Sequence, residues 1–186
     1  MPNLVAKSQN SSLNYKNLIK NLVEIKKILI NNKKTLSVAE SCSGGYLSYF
    51  FTFLPGSSNF FKGSVVTYND EIKKEVLNVN ENHLKNYGAI SKEVSFDMAN
   101  NVIKKFSTDY GISITGNLGP NPSENKEIGL IFVTILSKNS TFTKKFNIKG
   151  SREQIREKLV YNTIYLFNRF LKEDLENFER RFGKKW

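Results

Sequence analysis

The sequence predicts a single three-layer α/β/α domain with a mixed sheet, and three observations carry that expectation. Short apolar, β-favouring runs alternate with segments of helical periodicity, the pattern of a layered α/β domain. Late in the chain "LIFVTIL" (130–136) is followed by "TFTKKFNI" across a Lys138-Asn139-Ser140 turn, a hairpin that adds an antiparallel pair to an otherwise parallel sheet. With 186 residues, 39% apolar and 12% aromatic, the chain has material for one core, and two cores would each be small.

The elements follow in order. Residues 1–12 are polar and are expected to be loosely ordered. From about Leu13 to Asn32, Leu18, Leu22, Ile25 and Leu29 recur at helical spacing and predict an amphipathic first helix. Leu36 to Ala39 reads as a short strand. Gly44-Gly45 then opens "YLSYFFTFL", too apolar for a surface helix, which ends at Pro55-Gly56. "FFKGSVVTY" alternates as a strand ending near Tyr68. Asn69 and Asp70 form an N-cap pair for a short helix over "EIKKEVLNV", and Ser91 caps another running to about Phe106. "GISIT" is a buried strand, and "GNLGPNPSENKEIG" a long polar loop before the hairpin. Ser151 caps the final helix. The domain is thus expected over 13–172, with "KEDLENFERRFGKKW" placing a charged tail at 173–186.

Composition narrows the function classes. The net charge of +11 comes mostly from Lys, spread along the chain beside many Asn. Base-reading surfaces favour Arg, so compositional drift explains the charge better than a nucleic-acid surface. The positive field would still draw in a phosphate-bearing substrate. The one cysteine, Cys42, excludes an intramolecular disulfide and fits a reducing, cytoplasmic setting. Together with the one histidine, His83, it makes no cluster of zinc-ligand spacing, so neither metal nor cofactor is expected. The N-terminus resembles no secretory or transit peptide, and no run approaches the roughly 20 apolar residues of a membrane span.

The stretch with most chemistry is "AESCSGG" at 39–45, directly after the first strand. Hydroxyls and glycines at the start of a helix meet unpaired N–H groups and a positive dipole, which suit a phosphate or an oxyanion. They equally suit a plain N-cap by Ser41 or Ser43. A serine nucleophile needs a base, and with His83 in a polar, surface-like segment a Ser-His-Asp triad is disfavoured. The other known solution is a lysine. Tyr68 at a strand end and Lys73 on the helix after it could both face the sheet end where Ser41 emerges, although a helix lysine is ordinarily solvated.

These residues carry a resemblance. "AESCSGG", "LPGSSNFFKGSVVTYNDEIKKEVLNV", "YGAISKEVSFDMA", "ISITGNLGP" and "GSREQIREKLV" stand in the order of the motifs of the CinA C-terminal domain family, over roughly residues 15 to 172. Its characterised members are nicotinamide mononucleotide deamidases. The resemblance implies Ser41 as nucleophile, activated by Tyr68 and Lys73, in hydrolysis of the nicotinamide carboxamide to a carboxylate and ammonia, within pyridine-nucleotide recycling. It implies substrate contacts from Glu40 and Ser43, oxyanion donors among the N–H groups of Ser43, Gly44 and Gly45, and phosphate contacts from Arg152 and Arg156. Thr115, Gly116, Gly119 and Pro120 are expected to line the pocket, since loops beyond strand ends form crevices in α/β sheets. The chain departs from the family at Ser43 (usually Thr), Asp70 (usually Asn), Asn117 and Leu118, and it lacks the Gly-Gly usual after Pro120. Many members carry a further N-terminal pyrophosphatase-like domain, for which this chain is too short. The alternative reading is a non-catalytic or differently specific nucleotide-binding or competence-related partner protein. A homo-oligomer, a dimer by preference, is expected from the aromatic run "YFFTFLPGSSNFF" and the long last helix.

Overall fold

The computed structural model describes residues 9–182. Its strands are β1 (Leu36–Glu40), β2 (Phe61–Val66), β3 (Tyr110–Gly116), β4 (Leu130–Ser137) and β5 (Thr141–Asn147). Its helices are α1 (Gln9–Asn31), α2 (Tyr46–Thr52), α3 (Asp70–Leu77), α4 (Glu81–Tyr87), α5 (Lys92–Phe106) and α6 (Arg152–Phe182). The strands form one sheet in the order β2-β1-β3-β4-β5. β1 pairs parallel with β2 and β3, and the late hairpin makes β3–β4 and β4–β5 antiparallel, giving the predicted mixed sheet.

Strand alternation decides the layers. Leu36 and Val38 of β1, Ile112 and Ile114 of β3, and Ile131, Val133 and Ile135 of β4 join residues of α1, α2 and α6 in the larger core. The alternate positions are small or carry hydroxyls: Ser37, Ala39, Ser113 and Thr134 are buried on the side of α5. Those hydroxyls are satisfied, because Ser95 of α5 hydrogen-bonds Ser113 Oγ (2.9 Å) and Thr134 Oγ1 (2.8 Å). A smaller core of Leu77, Val79, Val94, Met98 and Val102 completes the third layer. In "YFFTFLPGSSNFF", Phe50, Phe51 and Phe60 are core residues while Tyr49 and Phe53 are well exposed, so the aromatic rings of the run are divided between core and surface.

The predicted caps are present. Asn69 Oδ1 accepts from Ile72 N–H (2.8 Å), and Ser91 Oγ accepts from Val94 N–H (3.2 Å). Ser151 and Gln154 form a reciprocal capping box at the start of α6. The terminal boundaries differ from expectation. α1 begins at Gln9, inside the stretch expected to be loose; residues 1–8 lie outside the described residues. α6 runs unbroken through most of the expected tail to Phe182, with 183–186 outside the described residues. Its apolar face continues, with Leu171 and Asp174 both buried, and Asp174 accepts hydrogen bonds from Tyr110 OH and Ser137 Oγ, each 3.0 Å. No helix among the described residues is long and apolar enough to cross a membrane.

The topology places the site. The C-terminal ends of β1, β2 and β3 lie side by side, and the antiparallel β4 starts at that same end, with Gly116 opposite Ile131. The 41–45 turn, the 67–69 segment and the 117–129 loop therefore gather at one edge of the sheet. The opposite edge is fastened by Asp109, whose carboxylate accepts from Thr35 N–H (2.9 Å), Thr35 Oγ1 (2.9 Å) and Lys34 Nζ (2.8 Å).

Burial alone would push the Asp109 carboxyl up, but the Lys34 ammonium and the Thr35 donors together outweigh it and hold it below the ordinary 3.8. A depressed carboxyl stabilises the fold above its unfolded value and loses that contribution as pH falls through the lower folded value. Asp109→Asn is expected to cost about 1–2 kcal/mol at neutral pH. Below about pH 4 the variant and parent should converge in urea titrations. A gap that stays constant down to pH 2 would contradict this account.

Candidate active site

Glu40 is the last residue of β1 and is fully buried. Its carboxylate accepts from the N–H groups of Gly45 (3.0 Å), Leu47 (3.1 Å) and Ser48 (2.9 Å), and from Ser48 Oγ. The N-terminus of α2 is thus capped by Glu40 and not by a serine hydroxyl. Gly44 and Gly45 adopt left-handed conformations (φ 63° and 92°), which double the chain back so that a strand-end carboxylate can reach the helix it precedes. Ser41 extends the sheet ladder by one bond, its N–H donating to Ile114 O (3.0 Å). Ser41 lines a cavity of about 390 Å³, within the range of small-molecule sites.

Tyr68, Lys73, Thr115, Gly116, Gly119, Pro120 and Arg152 line the same cavity. Lys73 is the surprise for a helix lysine, at only 2% exposed, and its ammonium donates to Asp70 Oδ1 at 3.3 Å. Asp70 is the residue where the family usually has Asn, and it supplies this i,i+3 partner. Tyr68 is 62% exposed, and its phenol oxygen accepts from Arg152 Nη2 (2.6 Å). Arg152 Nη1 donates to Gly119 O, so one guanidinium spans the cavity mouth from the β2–α3 connection to the 117–129 loop. Ser41 Oγ makes no hydrogen bond with either Tyr68 or Lys73.

Other expected residues lie elsewhere. Glu40, Ser43, Gly44 and Gly45 do not line the cavity. The Gly44 N–H donates to Ser41 O (3.1 Å) and the Gly45 N–H to Glu40, so neither is available as an oxyanion donor; among the described residues the Ser43 N–H donates to no backbone carbonyl. Ser43 Oγ is buried without a hydrogen-bond partner. Arg156 sits with its guanidinium 5.4 Å from the centre of the Tyr46 ring, outside the cavity. Arg152 and Arg156, expected to act together, are divided between two tasks. Leu118 is 3% exposed, belongs to the larger core and also lines the cavity. His83 is also outside, paired with Asp97 Oδ2 at 2.7 Å.

Several lining residues stand outside the expected set, among them Asp70, Ala89, Ile90, Asn117 and Glu124. An Asn between Thr115-Gly116 and Gly119-Pro120 is a turn residue that can bond its own backbone two residues on, and Asn117 Oδ1 does accept from Gly119 N–H (2.8 Å). Among the described residues no group of three or more His, Cys, Asp or Glu is placed to hold a metal ion.

A sequence model of the CinA C-terminal domain matches residues 19–171. The chain belongs to the CinA C-terminal domain family. A CinA-like protein of Endomicrobium trichonymphae is 43% identical over 146 residues, 78% of this chain and 34% of that protein. A CinA-like protein of Prochlorococcus marinus is 44% identical over 134 residues, 70% of this chain and 32% of that protein. The chain thus spans about a third of the length of these curated relatives. Among solved structures, the competence damage-inducible protein A of Klebsiella pneumoniae superposes with a TM-score of 0.80 at 26% identity, over 83% of this chain and 97% of that one. The CinA fold accounts for the sheet order and for the gathering of motifs at one sheet end.

Two outcomes follow for the turn. Glu40→Ala leaves the α2 N–H groups without an acceptor in a buried place and should destabilise the domain by about 2–4 kcal/mol, whereas Ser41→Ala should change the Tm little. Equal melting of the two variants would remove Glu40 from its capping role. Burial pushes the Cys42 thiol up to about 12, so it should resist iodoacetamide at pH 8 in the folded protein and react once unfolded. Rapid alkylation of the native protein would reopen Cys42 as a nucleophile.

Proposed function

We propose that this domain hydrolyses the carboxamide of nicotinamide mononucleotide, releasing nicotinate mononucleotide and ammonia. The observation that carries the reading is the convergence on one cavity of a serine from the β1–α2 turn with an exposed tyrosine and a buried lysine from the stretch that leads from β2 into α3. In this reading Ser41 Oγ attacks the amide carbon while Lys73 takes the hydroxyl proton directly or through Tyr68. The tetrahedral intermediate collapses with cleavage of the C–N bond, and the proton returns to the departing ammonia. Water then attacks the acyl-Ser41 ester, giving up a proton to the same relay, which returns it to Ser41 Oγ as the C–O bond breaks, and the free carboxylate leaves.

The 5′-phosphate is placed beside Arg152, which stands exposed at the cavity mouth with a planar fork suited to phosphate oxygens. Such binding draws the guanidinium away from Tyr68 OH and frees that hydroxyl for proton transfer. A role in pyridine-nucleotide recycling belongs to the same proposal.

The test is ammonia release from nicotinamide mononucleotide by the purified protein. Ser41→Ala and Lys73→Met are each expected to lower kcat by about 10²–10⁴-fold. Arg152→Ala should act mainly on KM, and more for the mononucleotide than for the unphosphorylated riboside. Full activity in Ser41→Ala, or none in a folded parent protein across pH 6–9, would defeat the proposal.

A further inference from the structure

The 117–129 loop departs most from the family pattern, yet it is held at both ends of its span. Asn117 stitches it internally: its side chain donates to Asn121 O (3.2 Å) and Lys126 O (3.3 Å), and its carbonyl accepts from Gly129 N–H (2.7 Å). Within the loop, Ser123 and Lys126 pair across a tight turn whose central residues, Glu124 and Asn125, both have φ 55°. This turn aims Glu124 and Lys126 at the α4–α5 connection. Glu124 Oε1 accepts from Ala89 N–H (3.0 Å) and Oε2 from Ile90 N–H (3.3 Å). Lys126 Nζ donates to Tyr87 O (2.6 Å) and to Glu124 Oε2 (2.9 Å).

The pair therefore matches opposite charges to opposite backbone groups: the carboxylate meets amide hydrogens, the ammonium a carbonyl. The receiving surface is shaped for them. A Cβ on Gly88 would stand 2.3 Å from Glu124 Oε2 and 2.8 Å from Lys126 Nζ, so the two side chains occupy the space that any other residue there would fill. Burial would raise the Glu124 carboxyl, but Lys126 and the Ile90 and Ala89 N–H groups hold it below the ordinary carboxylate range.

Glu124 and the loop residues Asn117 to Ser123 line the cavity together with Ala89 and Ile90. We infer that Glu124 and Lys126 are positioning residues, a clip that fixes the loop as the far wall of the site and thereby sets substrate affinity without taking part in bond making. On the other side the loop is held through Gly119 O by Arg152, so the clip also fixes the carbonyl against which the phosphate-side arginine rests. The kinetic arm below rests on the proposed deamidase activity; the exchange arm does not.

The experiment combines Glu124→Gln, Lys126→Met and the double variant. Hydrogen exchange by mass spectrometry should show peptides containing the Ala89 and Ile90 amides exchanging about tenfold faster in each variant, as expected for loss of a charge-assisted hydrogen bond. KM for nicotinamide mononucleotide should rise about tenfold while kcat stays within about twofold. Because both side chains serve one clip, the double variant should be no worse than the worse single. Glu124→Asp, which keeps the charge, should recover part of the KM effect. Unchanged exchange at Ala89 and Ile90 overturns the clip whatever the kinetics. A fall in kcat at constant KM, or additive single effects, overturns its positioning role. A parent protein that releases no ammonia defeats the functional proposal and leaves the clip to be judged by exchange alone.

Discussion

The arrangement of this site depends on one buried carboxylate. Glu40 ends a central strand at a depth with no solvent, and without the helix it caps it would be among the costliest groups in the domain. Its acceptor capacity is met instead by the first N–H groups of α2 and by Ser48 Oγ, and the same bonds answer donors that a helix start would otherwise leave unpaired. Two needs of opposite sign cancel. Ser41 is held between them, tied to β3 on one side and forced into the turn on the other, which is why a serine with no hydrogen bond of its own to Tyr68 or Lys73 still has a defined place.

The same economy removes the feature that first made the turn suggestive. A glycine-rich helix start commonly cradles phosphate with its backbone. Here that end is already filled by the chain's own anion, so in the proposed function recognition of the substrate's phosphate falls to side chains around the cavity mouth, Arg152 foremost. Side-chain recognition of this kind is more adjustable than a backbone cradle, because a guanidinium parked on Tyr68 OH and Gly119 O can exchange those partners for others.

Local signals made much of this legible in the sequence. The strand runs, the caps at Asn69, Ser91 and Ser151, and the amphipathic face of α1 depend on neighbours a few residues away, and each appears where its pattern placed it. The motifs behind Ser41, Tyr68 and Lys73 predicted a shared location, and the sheet order brings them to one cavity. What escaped depends on distance or on competing signals. Charged residues hid the buried Leu171 and Asp174 on which α6 continues, and abundant serines in "AESCSGG" drew attention from the glutamate that does the capping. The Glu124 contacts join residues 34 and 35 positions apart, which no periodicity can encode.

The length of α6 has a mechanical meaning. Arg152 in its first turn spans the cavity mouth, while Asp174, roughly 30 Å further along a continuous helix at 1.5 Å per residue, is locked under the sheet by Tyr110 and Ser137. Between the two, Ile155, Leu159, Ile164 and Phe167 seat the helix in the larger core, so the cavity mouth and the buried aspartate are joined by one continuously packed element.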